Sequence, residues 1–443
     1  MSVNRRSFIT GSAALASAPA LGAVSASGET DIAIIGAGAA GIAAARKVAA
    51  AGKRYVLLEA SDRIGGRCFT ETSTFGVPYD RGAHWLHVPE INPVAKLASR
   101  AAGFEVYPAP PGQKLRIAKR NAREGEMEDY LAALVRGSRA IQEAVRGKAD
   151  VACAQVLPKD LGEWRPAVEF FLGPFGCGKN LEDISAMDFA RSVERDIDAF
   201  CRQGLGALVG KLGADLAMQL KAPVTRMQST ANWVEMDTGR GFIKARAAIV
   251  TVSTGVLAAG KIKFMPDLPK KQVDAIARLS LGSYDHVALE LKGNPLQLRS
   301  DDLVFEKPAG PRTAALLANI SGTSLATVEI AGKLGTELSK GGEAAMTDFA
   351  TAWLADLFGA DVKKAIGKTH ATRWNAEPWA LGAFSCAAVN GQGGRKVLME
   401  PVRERLFFAG EAVHETLWGT VGGAWESGER AADAALRLWG RRA

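Results

Sequence analysis

Three glycines near the start of the chain have the spacing of a phosphate-binding loop. They follow an apolar run at residues 32–35 and lead into an alanine-rich stretch of helical composition. Gly36 permits a tight turn, Gly38 lets the backbone approach a pyrophosphate at a helix N-terminus, and Gly41 lets the helix pack against the strand. The pattern predicts a dinucleotide site with contacts from Gly36, Gly38, Ala39, Ala40 and Gly41.

A carboxylate and a second glycine turn follow this loop. Glu59 ends the next predicted strand, about 20 residues on, where an acidic side chain can accept both ribose hydroxyls. The following turn places two glycines between two arginines, which suits closure over the diphosphate of a long, extended cofactor. Nicotinamide enzymes do not need such a turn, so we predict FAD. The predicted contacts here are Glu59, Ala60, Arg63, Gly65, Gly66 and Arg67.

The carboxyl-terminal segment has the pattern of a short strand, a turn and a helix. Residues 406–409 are predicted to form a buried strand, and Glu411 follows in a turn where its carboxylate can bind a sugar or ribityl hydroxyl. A helix is predicted to begin at Val421, with its N-terminal amides facing the flavin pyrimidine ring, where negative charge collects on reduction. A generic closing unit of strand, turn and helix is the alternative.

These segments resemble the flavin-dependent amine oxidase family, which includes monoamine oxidases, polyamine oxidases and lysine-specific histone demethylases. The segment VPYDRGAHWLH is similar to the family segment whose backbone lies along the flavin, and it contains Gly82, Ala83, His84 and Trp85. Val224 takes the position whose backbone meets the adenine. The resemblance covers essentially the whole chain after its leader.

The elements that must position these residues follow from the resemblance and from the length of 443 residues, which by itself predicts two domains. The resemblance implies a mixed α/β fold, in which a Rossmann-like FAD-binding domain is interleaved with a substrate-binding domain. The FAD-binding domain is predicted to combine residues 28–87, 203–284 and 396–443. Residues 88–202, mostly helical in composition, and 285–395, which mix strands with a helix predicted over 343–358, are predicted to form the substrate domain.

The resemblance also implies a substrate pocket bounded by aromatic side chains. Relatives steer the amine with two aromatic residues that stand beside the flavin. Trp374 resembles the family's tryptophan near the flavin, Phe384 falls at one of the two positions, and Thr420 falls at the other, with Trp418 as a substitute apolar surface. Ala383 sits where monoamine oxidases carry the cysteine that bonds to the flavin, so non-covalent FAD is predicted.

His286 departs from the family pattern. Relatives generally carry a lysine there, which holds a water against flavin N5 and helps oxygen accept electrons. A histidine can also hold that water, and its charge changes near neutral pH; a histidine simply hydrogen-bonded inside a strand is the alternative. Either way, fast reaction with oxygen is in doubt, and a redox protein or quinone becomes an alternative acceptor.

The predicted reaction is FAD-dependent oxidation of an amine C–N bond by hydride transfer to flavin N5, which gives an imine and then an aldehyde. Two other interpretations stay open. An L-amino-acid oxidase or tryptophan 2-monooxygenase would use a G-A-M-R segment whose arginine binds the substrate carboxylate. This chain reads Gly82-Ala83-His84-Trp85 at that place, which favours an amine without an α-carboxylate. The other is an FAD-binding protein whose catalysis has decayed.

The amino terminus predicts export. Arg5 and Arg6 precede Phe8 and Ile9, a modest apolar run and small residues that suit a signal peptidase. This order resembles a twin-arginine signal over residues 1–27, and a disordered tail is the alternative. Because the twin-arginine translocase moves folded proteins, we predict a periplasmic protein that loads FAD before export.

Composition excludes several other functions. The net charge of +8 is scattered, and no recognition motif accompanies it, so nucleic-acid binding is not predicted. The five histidines and five cysteines lack metal-ligand spacing, so no metal site is predicted, and the cysteines are expected to be buried free thiols. No stretch after residue 30 is apolar for long enough to span a bilayer. A homodimer is left open.

Overall fold

The computed structural model describes residues 28–147, 149–193 and 197–440. The predicted twin-arginine signal at residues 1–27 lies outside the described residues. Within the described ranges the strands are β1 Gly28–Ile35, β2 Tyr55–Leu58, β3 Thr70–Glu71, β4 Tyr79–Asp80, β5 Leu86–His87, β6 Val106–Pro108, β7 Lys114–Ile117, β8 Arg120–Asn121, β9 Asp198–Cys201, β10 Met218–Gln219, β11 Val224–Ser229, β12 Val234–Thr238, β13 Gly241–Val250, β14 Lys263–Met265, β15 Tyr284–Leu291, β16 Asp302–Glu306, β17 Ala315–Ala318, β18 Leu325–Ala331, β19 Ile366–Ala371 and β20 Leu406–Phe408.

The α-helices of the same ranges are α1 Ala39–Ala50, α2 Pro93–Ala98, α3 Glu124–Ala144, α4 Cys153–Val156, α5 Arg165–Phe170, α6 Ala186–Arg191, α7 Leu205–Gly213, α8 Thr254–Ala258, α9 Lys270–Arg278, α10 Gly332–Phe358, α11 Val362–Ala365, α12 Gly394–Met399 and α13 Val421–Gly440. The mixed α/β fold predicted from the sequence is therefore present. The stretch 88–202, predicted as mostly helical, also contains the short strands β6 to β9.

The first sheet has the strand order β10-β2-β1-β13-β12-β11-β14, and β20 pairs with the end of β13. Strands β2, β1, β13 and β20 run parallel, so their carboxyl ends meet at one edge, where α/β sheets bind ligands. Helices α1 and α13 pack on one face so closely that a Cβ on Gly428 would lie 2.0 Å from Ala40 O. Strands β1 and β20, far apart in sequence, therefore end at the same edge of one sheet.

The second sheet has the order β19-β15-β18-β17-β16-β7-β8, and α10 packs its apolar side against it. Its strands come from both segments assigned to the substrate domain, although the division into domains stays a prediction. Helix α10 begins earlier than the predicted residue 343 and breaks at Gly342, where φ is +87°.

Helices α3 to α6 form a third layer beside the second sheet. Helix α5 continues into a π-helical turn at Phe171–Phe175, which contains Pro174. Because proline has no N–H, Pro174 cannot donate a helical hydrogen bond at this turn, although its carbonyl accepts from Gly178 N at 2.9 Å. The wider turn carries Phe171 and Phe175 to the cavity described next.

Candidate active site

A cavity of about 1930 Å³ is lined by residues of both large sheets and of helix α3. A typical ligand pocket measures roughly 300–1,000 Å³, so this cavity has room for two molecules. Every predicted site residue lines it except Gly41. A Cβ on Gly41 would lie 1.8 Å from Gly36 O, so Gly41 packs helix α1 on strand β1 and does not contact the cavity.

The first glycine loop has the geometry of a ligand cradle. Gly36 has a φ of +103°, and a Cβ there would lie 2.6 Å from Thr251 Oγ1. At Gly38 a Cβ would have no protein atom closer than 3.8 Å, so the missing side chain leaves open space at the start of α1. Ala39 and Ala40 form the first turn of this helix. Its backbone amides and dipole favour an anionic group there.

Glu59 is held rigidly at the end of β2. Its Oε2 accepts a hydrogen bond from Ala37 N at 2.8 Å, and its Oε1 accepts from the amide and hydroxyl of Ser61, both at 2.8 Å. The backbone of Glu59 also accepts from Ala222 N, which brings the strand of Val224 alongside. Glu59, Ala60 and Val224 thus lie at one end of the cavity.

The second glycine turn docks onto the first. Gly65 N donates to Ala37 O at 2.8 Å, and both Gly65 and Gly66 have positive φ angles. Arg63 Nη1 donates to Gly66 O at 2.7 Å, so its guanidinium braces the turn itself. Arg67 instead reaches across the fold to Glu411 Oε1 at 2.9 Å and to the carbonyl of Ala383.

Glu411 is the centre of a buried hydrogen-bond network. Besides Arg67, its carboxylate accepts from the Ser385 hydroxyl at 2.7 Å and from Gly419 N at 3.1 Å. Burial raises the pKa of Glu411, but the Arg67 charge, the Ser385 hydroxyl and the Arg395 charge outweigh burial, and the net pKa is lowered. The carboxylate is therefore ionised and fixed in place.

The network ends in a buried ion pair. Arg395 Nε and Nη2 donate to the two carboxylate oxygens of Asp188 at 2.8 and 2.7 Å, and both side chains are 1% exposed. Arg395 Nη1 also donates to Ser385 Oγ at 3.1 Å, and its guanidinium lies 4.8 Å from the ring centroid of Trp418. This ion pair joins helices α6 and α12 beneath Glu411.

Trp374 lies directly against Gly82. A Cβ on Gly82 would lie 2.9 Å from Trp374 Cζ2, so only glycine permits this approach. The indole Nε1 donates to Arg81 O at 2.8 Å, and the Trp374 amide donates to Asp285 Oδ1 at 2.8 Å. The following residue of the segment, Ala83, donates its amide to Arg67 O at 3.0 Å.

Asp80 contacts His84 of the same segment and the start of helix α7. Its Oδ2 lies 2.8 Å from His84 Nδ1 and accepts from Leu205 N at 3.0 Å, at the start of helix α7. The His84 ring stacks on Phe200 with ring centroids 4.7 Å apart, and Trp85 packs against the same ring. His84 Nε2 is buried and has no hydrogen-bond partner among the described residues.

The predicted aromatic positions differ in what they do. Phe384 packs against Tyr284, with ring centroids 5.7 Å apart, and both rings line the cavity. Thr420 is fully engaged with the backbone: its hydroxyl donates to Leu417 O at 2.7 Å and accepts from Gly423 N at 2.9 Å, which caps α13. Trp418 is 1% exposed and packs mostly in the core beside α3 to α6.

His286 has protein acceptors at both ring nitrogens. Nδ1 lies 3.1 Å from Asp80 O, and Nε2 lies 3.1 Å from Glu329 Oε2, directly across the β15–β18 pair. Asp80 O can only accept, so the proton is assigned to Nδ1. The contact with Glu329 lacks the alignment of a hydrogen bond. Any water held by this ring must compete with that carboxylate.

Comparison with known proteins gives the family. The sequence model described as flavin containing amine oxidoreductase matches residues 39–436. The chain belongs to this family. It is 27% identical over 435 residues to human lysine-specific histone demethylase 2, covering 90% of this chain and 52% of that protein, and so spans about half of its length. Polyamine oxidase 3 of Oryza sativa subsp. japonica is 27% identical over 445 residues, covering 90% of this chain and 88% of that protein.

A solved structure of a putrescine oxidase bound to putrescine has the same fold. It superposes with a TM-score of 0.79 at 18% identity, covering 93% of this chain and 100% of that chain. The chain thus has the fold of this family, and its cofactor is FAD.

The cavity fits this cofactor. The open space at Gly38 and the carboxylate of Glu59 both lie along the groove. Ala383, at the position that the family resemblance links to a flavin-bonding cysteine, offers only a methyl group, in accord with non-covalent FAD. Glu411 and the first turn of α13 at Val421 line the same groove.

Several residues of this flavin amine oxidoreductase were missed by sequence reasoning. Asp188, Ser385 and Arg395 are distant in sequence, and no local pattern marks them. Tyr284 could have been predicted as a site residue, because it stands two residues before His286 in a strand and so lies on the same face. Glu329 could also have been predicted, because it is the one acidic residue within β18, whose other described residues are apolar or threonine.

All five cysteines are buried and free, as predicted. Within the described ranges, no group of three or more His, Cys, Asp or Glu side chains is placed to hold a metal, and no helix has the length and apolar composition needed to cross a membrane.

Proposed function

We propose that this chain oxidises the C–N bond of an amine without an α-carboxylate, with FAD as the hydride acceptor. One observation carries the proposal: the dinucleotide loop and the wall formed by Trp374, Phe384 and His286 line the same cavity. A cofactor on the loop and a substrate against that wall share one space. The polyamine oxidase and putrescine oxidase similar to this chain are named for amine substrates, which supports the same class.

The overall reaction balances as a two-electron oxidation. FAD supplies the acceptor for a hydride from the carbon next to nitrogen, while nitrogen loses a proton. Water then converts the imine to an aldehyde and releases ammonia or a smaller amine. The two electrons leave to an external acceptor. The residues of the chain have to bind a neutral amine, orient its carbon and keep other water away.

The side chains suit these tasks. Phe384 and Tyr284 give adjoining apolar surfaces on the wall of the cavity, and the aromatic ring of Phe175 lies 6.2 Å from Tyr284. Trp374 is fixed at both its indole and its backbone amide. Orientation by rigid walls is the contribution expected of the protein in this chemistry.

Anaerobic mixing of the yellow protein with a panel of amines and L-amino acids tests the proposal. We expect amines to bleach the flavin absorbance and to yield an aldehyde that can be trapped. Bleaching by L-amino acids alone would favour the amino-acid oxidase alternative. No bleaching by any compound would favour the FAD-binding protein without catalysis.

We further propose that oxygen is a poor acceptor and that a redox protein or quinone accepts the electrons. The support is His286, whose two ring nitrogens already face Asp80 O and the Glu329 carboxylate. A ring held in this way is poorly placed to present a water to the flavin.

Export by the twin-arginine translocase to the periplasm, with FAD loaded first, remains a proposal based on Arg5 and Arg6. Changing both arginines to lysine should retain the holoprotein in the cytoplasm in a fractionation experiment. Equal export of that variant would contradict the proposal.

A further inference from the structure

One loop joins the buried Glu411 network to the start of helix α13. We define the cofactor loop as residues 414–420; its last three residues, Trp418, Gly419 and Thr420, line the cavity. Gly419 N donates to Glu411 Oε2 at 3.1 Å, and the loop leads directly into α13. The conformation of this loop therefore shapes part of the cofactor groove.

The imidazole of His414 holds the cofactor loop in place. Its Nδ1 accepts hydrogen bonds from Leu417 N at 2.9 Å and from Thr416 N at 3.3 Å, and its Nε2 lies 3.0 Å from Glu426 Oε2 on α13. A backbone amide can only donate, so Nδ1 offers its lone pair and the ring proton is assigned to Nε2, which donates to Glu426. Neutral His414 thus binds the loop with one nitrogen and α13 with the other.

Leu417 connects His414 to the cavity wall. While its amide donates to His414, its carbonyl accepts from the Thr420 hydroxyl at 2.7 Å. A Cβ on Gly423 would lie 2.1 Å from Leu417 O, so this carbonyl also packs directly on the first turn of α13. A shift of Leu417 would therefore displace Thr420 and the N-terminus of α13.

The surroundings of His414 favour its neutral form. Burial lowers the pKa of His414, the hydrogen bond and charge of Glu426 raise it, and the charges of Arg430 and Arg395 lower it again, so the net pKa is below the usual histidine value of 6.5. Among the described residues, the charged groups that face the ring or pair with its neighbours are Glu426 and Arg430 on α13, Arg395 and Lys396 on α12, and Glu415 in the loop.

We infer that His414 is a positioning residue for FAD and that only its neutral form closes the cofactor loop. A proton on Nδ1 would face the amide hydrogens of Thr416 and Leu417, so two hydrogen bonds would become contacts between donors. The loop has to open before the ring can take this proton. Because a histidine in the open loop binds a proton below about pH 6.5, acid favours the open loop and the release of FAD.

The rate at which the holoenzyme releases FAD tests this role. Dilution of the holoenzyme and the rise of free-flavin fluorescence give the rate without any substrate. Between about pH 7.5 and about pH 5 we expect it to increase about tenfold, within the limit of about thirtyfold that a histidine of pKa about 6.5 allows. Amide hydrogen exchange of residues 416–420, corrected for the intrinsic pH dependence of exchange, should increase by a similar factor.

Two substitutions at His414 separate titration from hydrogen bonding. The side-chain oxygen of His414→Asn can accept from Leu417 N but does not titrate. Its FAD release should stay close to the wild-type rate at about pH 7.5 and should lack the increase in acid. His414→Ala has no acceptor and should release FAD fast at both pH values. If His414→Ala does not fold, the comparison of His414→Asn with the wild type decides alone.

His370→Asn is the matched control. Burial also lowers the pKa of His370, but this ring contacts the Tyr79 hydroxyl and does not line the cavity, so the variant should keep the wild-type increase. Glu426→Gln keeps an acceptor for His414 Nε2, so FAD binding at neutral pH should not change. No acid increase in the wild type, or an equal increase in His414→Asn, would overturn the inference. A wild-type release rate in folded His414→Ala at about pH 7.5 would also contradict it.

Discussion

Two groups of buried carboxylates, one bonded to Arg67 and Arg395 and one beside His286 and Trp374, differ in how their charge is balanced. On the cofactor side, Glu411 and Asp188 each accept hydrogen bonds from an arginine. On the reactive side, Glu329 faces His286, and Asp285 accepts from Thr372 and the Trp374 amide but has no bonded guanidinium. The cofactor side therefore carries permanent, compensated charges, whereas the reactive side can change its charge with pH.

The pKa shifts of Glu411 and Asp285 show the same difference between the two groups of carboxylates. For Glu411, burial raises the pKa, but Arg67 and the hydrogen bonds lower it further than burial raises it. For Asp285, burial is the largest cause and raises the pKa to about 6, because the Trp374 amide, Thr372, His286 and Arg373 compensate only in part. One Asp285 oxygen has no hydrogen-bond partner in the described chain.

Removing the arginine partner of a buried carboxylate should have the largest effect on the free energy of unfolding. Arg395→Met leaves Asp188 charged and buried without a counter-ion, so we expect the free energy of unfolding to fall by about 3–5 kcal/mol in urea titration. The double variant Arg395→Met with Asp188→Leu should recover most of this loss. As a control, Lys270→Met breaks an exposed pair and should cost under about 1 kcal/mol. A loss of similar size in both single variants would show that burial does not distinguish them.

Asp285→Asn tests the opposite side. The folded pKa of about 6 exceeds the usual aspartate pKa of 3.8, so the unfolded chain ionises first and the wild type loses stability as pH rises from about 4 to 6. The asparagine keeps an acceptor for Trp374 N and Thr372. The variant should therefore be more stable than the wild type above pH 6, by up to about 3 kcal/mol, and equal to it near pH 4.

Chemical unfolding of both proteins across this pH range isolates the contribution of Asp285, because other carboxylates titrate equally in the two. A constant stability difference at all pH values would mean that Asp285 has the same pKa in the folded and unfolded chain.

Removing the charge of Glu411 should weaken cofactor binding more than it weakens the fold. Glu411→Gln leaves Arg67 without its carboxylate, and charged hydrogen bonds contribute about 1.5–3 kcal/mol. We expect FAD affinity to fall about tenfold to a hundredfold, measured by flavin fluorescence on titration of the apoprotein. Glu426→Gln, whose carboxylate pairs with His414 away from the cavity, should leave affinity unchanged. Unchanged affinity in both variants would remove Glu411 from the cofactor site.

The same comparison explains what could be predicted from sequence. The residues that line the cofactor groove were largely predictable, because the glycine turns, Glu59 and the carboxyl-terminal strand are local sequence patterns. In a parallel sheet, these segments meet at one edge. The pair of Asp188 and Arg395 was not, because residues 207 positions apart look like ordinary surface charges until the fold brings them together. The start of α10 at Gly332 was missed because tertiary packing overrides the low helix propensity of its glycines.

The interpretation of Thr420 shows a different limit. Its motif position suggested a wall of the substrate pocket, and it does line the cavity, but its hydroxyl caps α13. A side chain can have a structural role, here the capping of a helix, that comparing side chains between relatives does not show. Phe384, whose ring is free of such a task, remains the predicted wall.

The smallest expected effect concerns the electron acceptor. Substrate-reduced wild type mixed with air-saturated buffer in a stopped-flow instrument should reoxidise slowly. His286→Lys places a cation beside Glu329 on a longer, mobile side chain that can also hold a water, so reoxidation should accelerate about tenfold, a change of about 1.4 kcal/mol in barrier. His286→Gln, which is neutral and can hydrogen-bond, is the matched control and should not accelerate it. If wild type and His286→Lys reoxidise equally fast, the contacts of His286 with Asp80 and Glu329 do not limit the reaction with oxygen. The two groups of carboxylates then differ in charge balance but not in their effect on the electron acceptor.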